Sequence, residues 1–215
     1  MIRVLVVDDH TSFRQSLAFM LQREADLTVV GQAGSLAEAR HKLKGVEVAV
    51  VDIGLPNGDG LALINDVHDT NPLCRVLVVT GSSASIDVAR AVIMGAEGVL
   101  HKSVDVHDII AAVRRLGTGE DLLTRKQILT IVRFANEQGE QISNAQTRLE
   151  RLTRREWDVL LALAEGLSDK DIGEKLQISR ETVRSHVVRI LSKLEVHSRL
   201  QALVFAVRFG GVKIS

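Results

Sequence analysis

Over residues 1–117 short β-branched runs alternate with amphipathic stretches of helical length, and this alternation most constrains the fold. The runs are Val4–Val7, Leu27–Val30, Val46–Val51, Val76–Val79 and Gly98–Leu100. Between them lie Ser12–Arg23, Ser35–Leu43, Gly60–His68, Ser85–Met94 and Val106–Leu116. A strand with apolar side chains at successive positions buries both of its faces, which requires helices above and below it. The pattern therefore predicts five βα units in an α/β doubly wound parallel sheet. Such sheets bind ligands at the carboxyl ends of their strands.

Chemistry-bearing residues fall at those ends. Asp8 and Asp9 follow the first run, Asp52 the third, Thr80 closes the fourth and Lys102 follows the fifth. A lone Asp after a strand usually caps a turn and a lone Thr there usually does nothing, so the conjunction on one edge carries the argument. Three carboxylates within about 5 Å repel by roughly 3 kcal/mol per pair at an effective dielectric near 20. A divalent cation relieves that repulsion, and an all-oxygen ligand set suits Mg²⁺. Asp52 can serve as a carboxylate nucleophile towards phosphorus. Cationic groups such as Lys102 offset the charge on the transferred phosphoryl oxygens, and the Thr80 hydroxyl can hydrogen-bond the transferred group.

The motifs Val6-Val7-Asp8-Asp9-His10, Asp52-x-x-Leu55-Pro56-x-x-Asp59-Gly60, Val78-Val79-Thr80-Gly81 and Gly95-Ala-Glu-Gly98-Val99-Leu100-His101-Lys102 resemble the receiver domain of two-component response regulators. The resemblance implies Asp52 as phosphoacceptor, Asp9 as a Mg²⁺ ligand, Asp8 as a support through water and the Gly54 carbonyl as a further ligand. It implies Thr80 and Lys102 as contacts to the phosphoryl group. Two positions depart from the pattern. Val99 stands where the family usually has an aromatic that turns inward on activation, so the usual threonine–aromatic coupling is expected to be weakened or replaced. Ser103 stands where many members have proline after the lysine, often with a cis bond, which leaves the geometry at 102–103 open.

From Leu152 onward the texture is helical. Thr153…Glu156 and Ser198…Gln201 fit the capping box, Ser168…Asp171 is a looser version, and Ser179 is a candidate cap. These starts predict helices near 154–165, 169–176, 180–194 and 199–209. At 100° per residue, Val183, Val187, Ile190 and Leu194 share the core face of the third. Glu181, Arg184, Ser185, Val188, Arg189 and Ser192 share the opposite arc, a short, polar and net basic surface suited to the major groove. Leu152-Thr-Arg-Arg-Glu156-Trp-Asp-Val-Leu160, Glu165-Gly166-Leu-Ser168-Asp-Lys-Asp-Ile-Gly173 and Ile178-Ser-x-x-Thr182-Val183-Arg184-Ser-His186, followed by Lys193-Leu-x-Val196 and Arg199, are similar to the LuxR/FixJ-type DNA-binding domain. That similarity implies Arg184, Ser185 and Val188 at base-reading positions, and Thr182, Arg189 and Lys193 as phosphate contacts. It also implies pairing of two copies through the helix Leu200–Arg208. The family often has lysine where Val188 stands. Trp157 is expected in the core.

The formal net charge is zero, with 27 basic and 27 acidic residues, which read alone argues against a nucleic-acid partner. Split by position, residues 1–117 carry −3, residues 118–150 carry −1 and residues 151–215 carry +4. The predicted organisation is thus 1–117 as a receiver, 118–150 as a partly helical linker (a helix over Thr124–Ala135, then a polar stretch) and 151–215 as a helix-turn-helix domain. Opposite signs would favour a closed resting arrangement. One cysteine, Cys74, excludes an internal disulfide, and the histidines show no shared ligand spacing. His10 is expected in a surface loop and His186 near a DNA phosphate. No apolar run nears the roughly 20 residues of a membrane helix, and the N-terminus reads as a buried strand, so a cytoplasmic protein without membrane association is expected.

Together these features resemble response regulators of the NarL/FixJ type. The resemblance implies a non-enzymatic transcription regulator, a cognate sensor histidine kinase, Mg²⁺, double-stranded DNA with two-fold-related half-sites, and a homodimer when active. Two alternatives stay open at this point: a regulator whose receiver is a phosphorylation-independent interaction module, and a Mg²⁺-dependent phosphotransfer enzyme.

Overall fold

The computed structural model describes residues 1–55, 60–81, 85–120, 122–123 and 142–209. Five strands, β1 (Ile2–Val7), β2 (Leu27–Ala33), β3 (Val48–Val51), β4 (Arg75–Thr80) and β5 (Gly98–His101), form one sheet in the order β2-β1-β3-β4-β5 with every pairing parallel. The helices α1 (Thr11–Gln22), α2 (Leu36–Arg40), α3 (Gly60–Thr70), α4 (Ser85–Ile93) and α5 (Val106–Thr118) alternate with them. All of β3 and β4 is buried, as their unbroken apolar runs require. One face packs Leu5, Ala49, Val51 and Val78 against Leu63, Ile64, Val67 and Ala91. The other packs Val4, Val6, Val50 and Leu77 against Leu17, Leu21, Ile109 and Val113.

The helical part comprises α6 (Ile142–Glu150), α7 (Arg154–Ala164), α8 (Asp169–Leu176), α9 (Arg180–Leu194) and α10 (Arg199–Arg208). Thr153–Glu156, Ser168–Asp171 and Ser198–Gln201 each form a full capping box, and Ser179 accepts from the Thr182 N–H at 3.0 Å. Val183, Val187, Ile190 and Leu194 are buried as the periodicity predicts, with Leu191 beside them. Trp157 packs against the same core. Within the stretch read as a linker, α6 adds Ala145 and Leu149 to this core. The helix expected over Thr124–Ala135 lies outside the described residues.

His68, at the end of α3, is fully buried, and its Nε2 donates to the Gly95 carbonyl at 3.1 Å. Its Nδ1 is buried without a hydrogen-bond partner, and burial pushes the imidazole pKa down to about 4. Because the folded pKa is depressed, the contribution is intact above the unfolded value near 6.5 and is lost as pH falls from there towards 4. The loss amounts to about 3 kcal/mol. Urea midpoints measured across that window should fall more steeply for the wild type than for His68→Gln; equal slopes would show that His68 carries no such linkage.

Candidate functional site

The sheet register builds the first site. Val7 pairs with Val51, so Asp8 and Asp52 emerge side by side where the strand order reverses between β1 and β3. The Asp52 N–H donates to the Val7 carbonyl at 2.8 Å and the Lys102 N–H to the Thr80 carbonyl at 2.8 Å, which ties the strand ends into one rim. Lys102 Nζ lies 2.7 Å from Asp8 Oδ2 and 2.6 Å from Asp52 Oδ2. Partial burial opposes its charge, but the two carboxylates outweigh that and hold its pKa above the ordinary lysine value. Asp52 Oδ1 accepts the Gly54 N–H at 2.9 Å. Asp52 and Thr80 are buried, yet both line an open pocket of about 680 Å³ with Gly54, Gly81, Arg90 and Lys102.

Glycine matters at two points here. A Cβ at Gly60 would sit 2.5 Å from Ile53 Cα and 2.6 Å from the Asp52 carbonyl oxygen, so only glycine lets α3 start against the Asp52 backbone. A Cβ at Gly54 would touch the Asp52 carboxylate at 3.4 Å, so glycine leaves that carboxylate approachable.

Asp8, Asp9, His10 and Asp52 each bring a donor atom within 4.8 Å of the others. Asp9 Oδ1 is buried and accepts no hydrogen bond, since His10 Nδ1, 2.8 Å away, stands outside hydrogen-bonding geometry. The three carboxylates of this cluster, one with a buried oxygen that accepts no hydrogen bond, suit a hard divalent cation. His10 is exposed, and its backbone N–H donates to Asp8 Oδ1 at 2.8 Å, so the backbone after β1 orients Asp8.

Sequence reasoning missed three further groups. Lys102 Nζ lies 5.1 Å from the centroid of the Phe13 ring, and the Arg14 guanidinium donates to the Asp8 carbonyl. His101 bridges Gly81 and Ser103, with Nε2 3.0 Å from the Gly81 carbonyl and Nδ1 2.7 Å from Ser103 Oγ. A histidine and a serine thus pin the loop after Lys102. No cis peptide bond occurs among the described residues, so the 102–103 bond is trans.

In the helical part α8 and α9 meet at a tight turn. Gln177 takes the left-handed conformation (φ 55°), the Ile178 N–H donates to the Gly173 carbonyl at 2.9 Å, and a Cβ at Gly173 would come within 2.8 Å of the Ile178 carbonyl oxygen. This is a helix-turn-helix with α9 as its second helix. Protein-family descriptions match residues 4–114 to the response regulator receiver domain and residues 150–206 to the luxR family of bacterial regulatory proteins.

The chain belongs to the response regulators of the NarL/FixJ type. It is 34% identical over 208 residues to the DNA-binding transcriptional activator DevR/DosR of Mycobacterium tuberculosis, covering 96% of this chain and 94% of that protein. It is 32% identical over 208 residues to the response regulator protein VraR of Staphylococcus aureus, covering 95% and 96%. A solved structure of the signal receiver domain of NarL from Mycobacterium tuberculosis superposes with a TM-score of 0.52 at 31% identity, covering 55% of this chain and 97% of that one. This response regulator is therefore a DNA-binding transcription regulator of a two-component system. No helix among the described residues is long and apolar enough to cross a membrane.

The residues expected to touch DNA divide into two groups. Ser185 and Arg189 are exposed on α9, with Ser185 Oγ donating to the Glu181 carbonyl at 3.0 Å, and Thr182 and Val188 are half-buried. Arg184 and Lys193 are held by buried carboxylates, Asp169 at 3.4 Å and Glu156 at 2.7 Å. The start of α9 also faces the receiver: Arg180 donates to the Gly117 carbonyl at 3.2 Å, and Arg184 lines a 130 Å³ cavity with Glu47, Asn71 and Arg75. His186 Nδ1 is buried without a hydrogen-bond partner.

Proposed function

We propose that a cognate histidine kinase donates a phosphoryl group to Asp52, and that this modification controls dimerisation and DNA binding by the helix-turn-helix domain. The observation that carries the reading is the pairing of Asp52, on an open pocket, with Lys102 at 2.6 Å. An Asp52 carboxylate oxygen attacks phosphorus, the bond from phosphorus to the donor's imidazole nitrogen breaks, and its electron pair leaves with the donor. Lys102 then offsets charge on the phosphoryl oxygens, and Thr80 hydrogen-bonds one of them. Asp9, Asp52 and the Gly54 carbonyl would hold Mg²⁺, with Asp8 supporting it through water. When bound, the cation neutralises negative charge gathered at the carboxylates. The residues act on their own phosphoryl group and serve as a switch, not as an enzyme for other substrates. The working organisation is a receiver over 1–117, a linker over 118–150 whose last helix, α6, packs into the helical core, and a DNA-binding domain over 151–215, acting in the cytoplasm with no membrane partner.

On DNA, Arg184, Ser185 and Val188 would read base edges while Thr182, Arg189 and Lys193 contact phosphates of a two-fold-related site. Arg184→Ala should weaken binding to the preferred fragment by about 1–3 kcal/mol and relax base preference at one position, whereas Arg189→Ala should weaken all fragments alike and flatten the salt dependence. Fluorescence anisotropy with both variants checks this; an equal, sequence-blind loss in both would remove Arg184 from base reading. The whole proposal is tested by loading wild type with beryllofluoride and Mg²⁺ and measuring oligomeric state and binding to genomic fragments. Unchanged values in both would leave the phosphorylation-independent reading in its place.

A further inference from the structure

Among the described residues, the pocket over Asp52 is lined by two full cations, Lys102 and Arg90, and by one carboxylate, that of Asp52. Lys102 is already committed, at 2.7 Å to Asp8 and 2.6 Å to Asp52. Arg90 is not. It is exposed on α4, and its side chain enters no ion pair or hydrogen bond among the described residues. The space it faces is open: at Gly81, on the same wall, an added Cβ would meet nothing within 4 Å. Phosphoryl transfer changes the charge balance there. A carboxylate monoanion gives way to a group of about −1.5 to −2 with three strong acceptor oxygens. The single ammonium of Lys102, shared with Asp8, does not match that charge. A guanidinium offers two parallel N–H groups in a fixed fork, which fits two phosphoryl oxygens at once.

We propose that Arg90 is a phosphoryl-binding residue: once Asp52 carries the phosphoryl group, the Arg90 guanidinium donates two N–H bonds to its oxygens. This role rests on the phosphorylation reading above. Arg90 forms and breaks no covalent bond; it holds the modified side chain. The contact falls on a helix that is otherwise fixed by packing. Val92 and Ile93 of α4, with Val99 of β5, cover the outer face of α10 at Leu200, Leu203 and Val204, while Ala202, Phe205 and Ala206 on its other face enter the helical core. Arg90, two residues before Val92, lines the Asp52 pocket instead.

The test compares full-length wild type, Arg90→Gln, Arg90→Lys and Asp52→Asn, with beryllofluoride and Mg²⁺ as the phosphoryl mimic. Affinity is read from the rise in melting temperature with mimic concentration. Contact is read from hydrogen exchange of the α4 amides and of Met94, whose N–H donates to the Arg90 carbonyl at 2.9 Å. Without the mimic, Arg90→Gln should melt with the wild type. With it, Arg90→Gln should bind about tenfold more weakly, and the slowing of exchange along α4 expected in the wild type should be absent. Arg90→Lys keeps the charge and loses the fork, so it should recover only part of the affinity. Wild-type affinity in Arg90→Gln overturns the proposal and leaves phosphorylation of Asp52 standing. Full recovery by lysine does the same, because it reduces Arg90 to a diffuse charge. An Arg90→Gln that loses as much melting temperature without the mimic as with it also overturns the proposal, by making Arg90 structural. Equal binding of the mimic by wild type and Asp52→Asn overturns the phosphorylation reading itself, and the role of Arg90 with it.

Discussion

Asp52→Asn is expected to abolish acceptance of the phosphoryl group outright. Incubated with acetyl phosphate and Mg²⁺, the wild type should gain the mass of one phosphoryl group and Asp52→Asn should gain none. The amide is nearly isosteric, and its oxygen can still accept the Gly54 N–H that Asp52 accepts at 2.9 Å, so the fold should survive. What disappears is the anionic nucleophile, together with one of the two charges that hold Lys102. Lys102 would retain Asp8, so the variant should melt close to the wild type while its DNA binding no longer responds to the donor. Modification at full stoichiometry in Asp52→Asn would move the acceptor to another carboxylate on the rim.

The second large effect concerns Arg199. Both it and Asp169 are buried, joined at 2.7 Å, and the other arm of the guanidinium donates to the Gly119 carbonyl at 2.6 Å. Burial opposes the Asp169 charge, but the field of Arg199, with Arg75 and Arg184, outweighs it and holds the carboxyl below the usual range. Arg199→Ala leaves that carboxylate buried with much of its compensation gone, which costs about 3–5 kcal/mol. Urea unfolding should register the loss, and Asp169→Asn in the same chain should recover part of it. The sign of the pH dependence is diagnostic. In Arg199→Ala the folded pKa of Asp169 rises, so the gap between variant and wild type is present at neutral pH and narrows as pH falls and Asp169 protonates. A variant within about 1 kcal/mol of wild type at neutral pH would show that the pair is replaceable.

Much of this molecule is legible in its residues. Unbroken apolar runs such as Val48–Val51 carry an unambiguous burial signal, and the strand-end positions of Asp8, Asp52, Thr80 and Lys102 follow from the parallel topology they imply. Capping boxes are local, so Thr153–Glu156 and Ser198–Gln201 could be read without tertiary knowledge. What escaped reading depends on contacts distant in sequence. The polar stretch before Leu152 hides two apolar contacts, Ala145 and Leu149, four residues apart on α6. Asp169 looks like an ordinary first-turn acid, and only the fold reveals that Arg199 and Arg184 converge on it. The charge split suggested mutual attraction of the two domains. Their contact combines an exposed approach of His197 to Asp69 at 3.6 Å and the field of Arg75 on Asp169 with arginine-to-carbonyl bonds and an apolar seam, and salt does not screen the seam.

The two-sided burial of α10 also bears on how the chain comes into being. Among the described residues, those outside α10 that cover its outer face lie earlier in the sequence, and chains fold from the N-terminus as they are made. By the time α10 leaves the ribosome, the α4–β5 edge is already formed beside it. A nascent helix that would otherwise be sticky on two sides thus emerges next to a finished receiver, which acts as its built-in chaperone during synthesis.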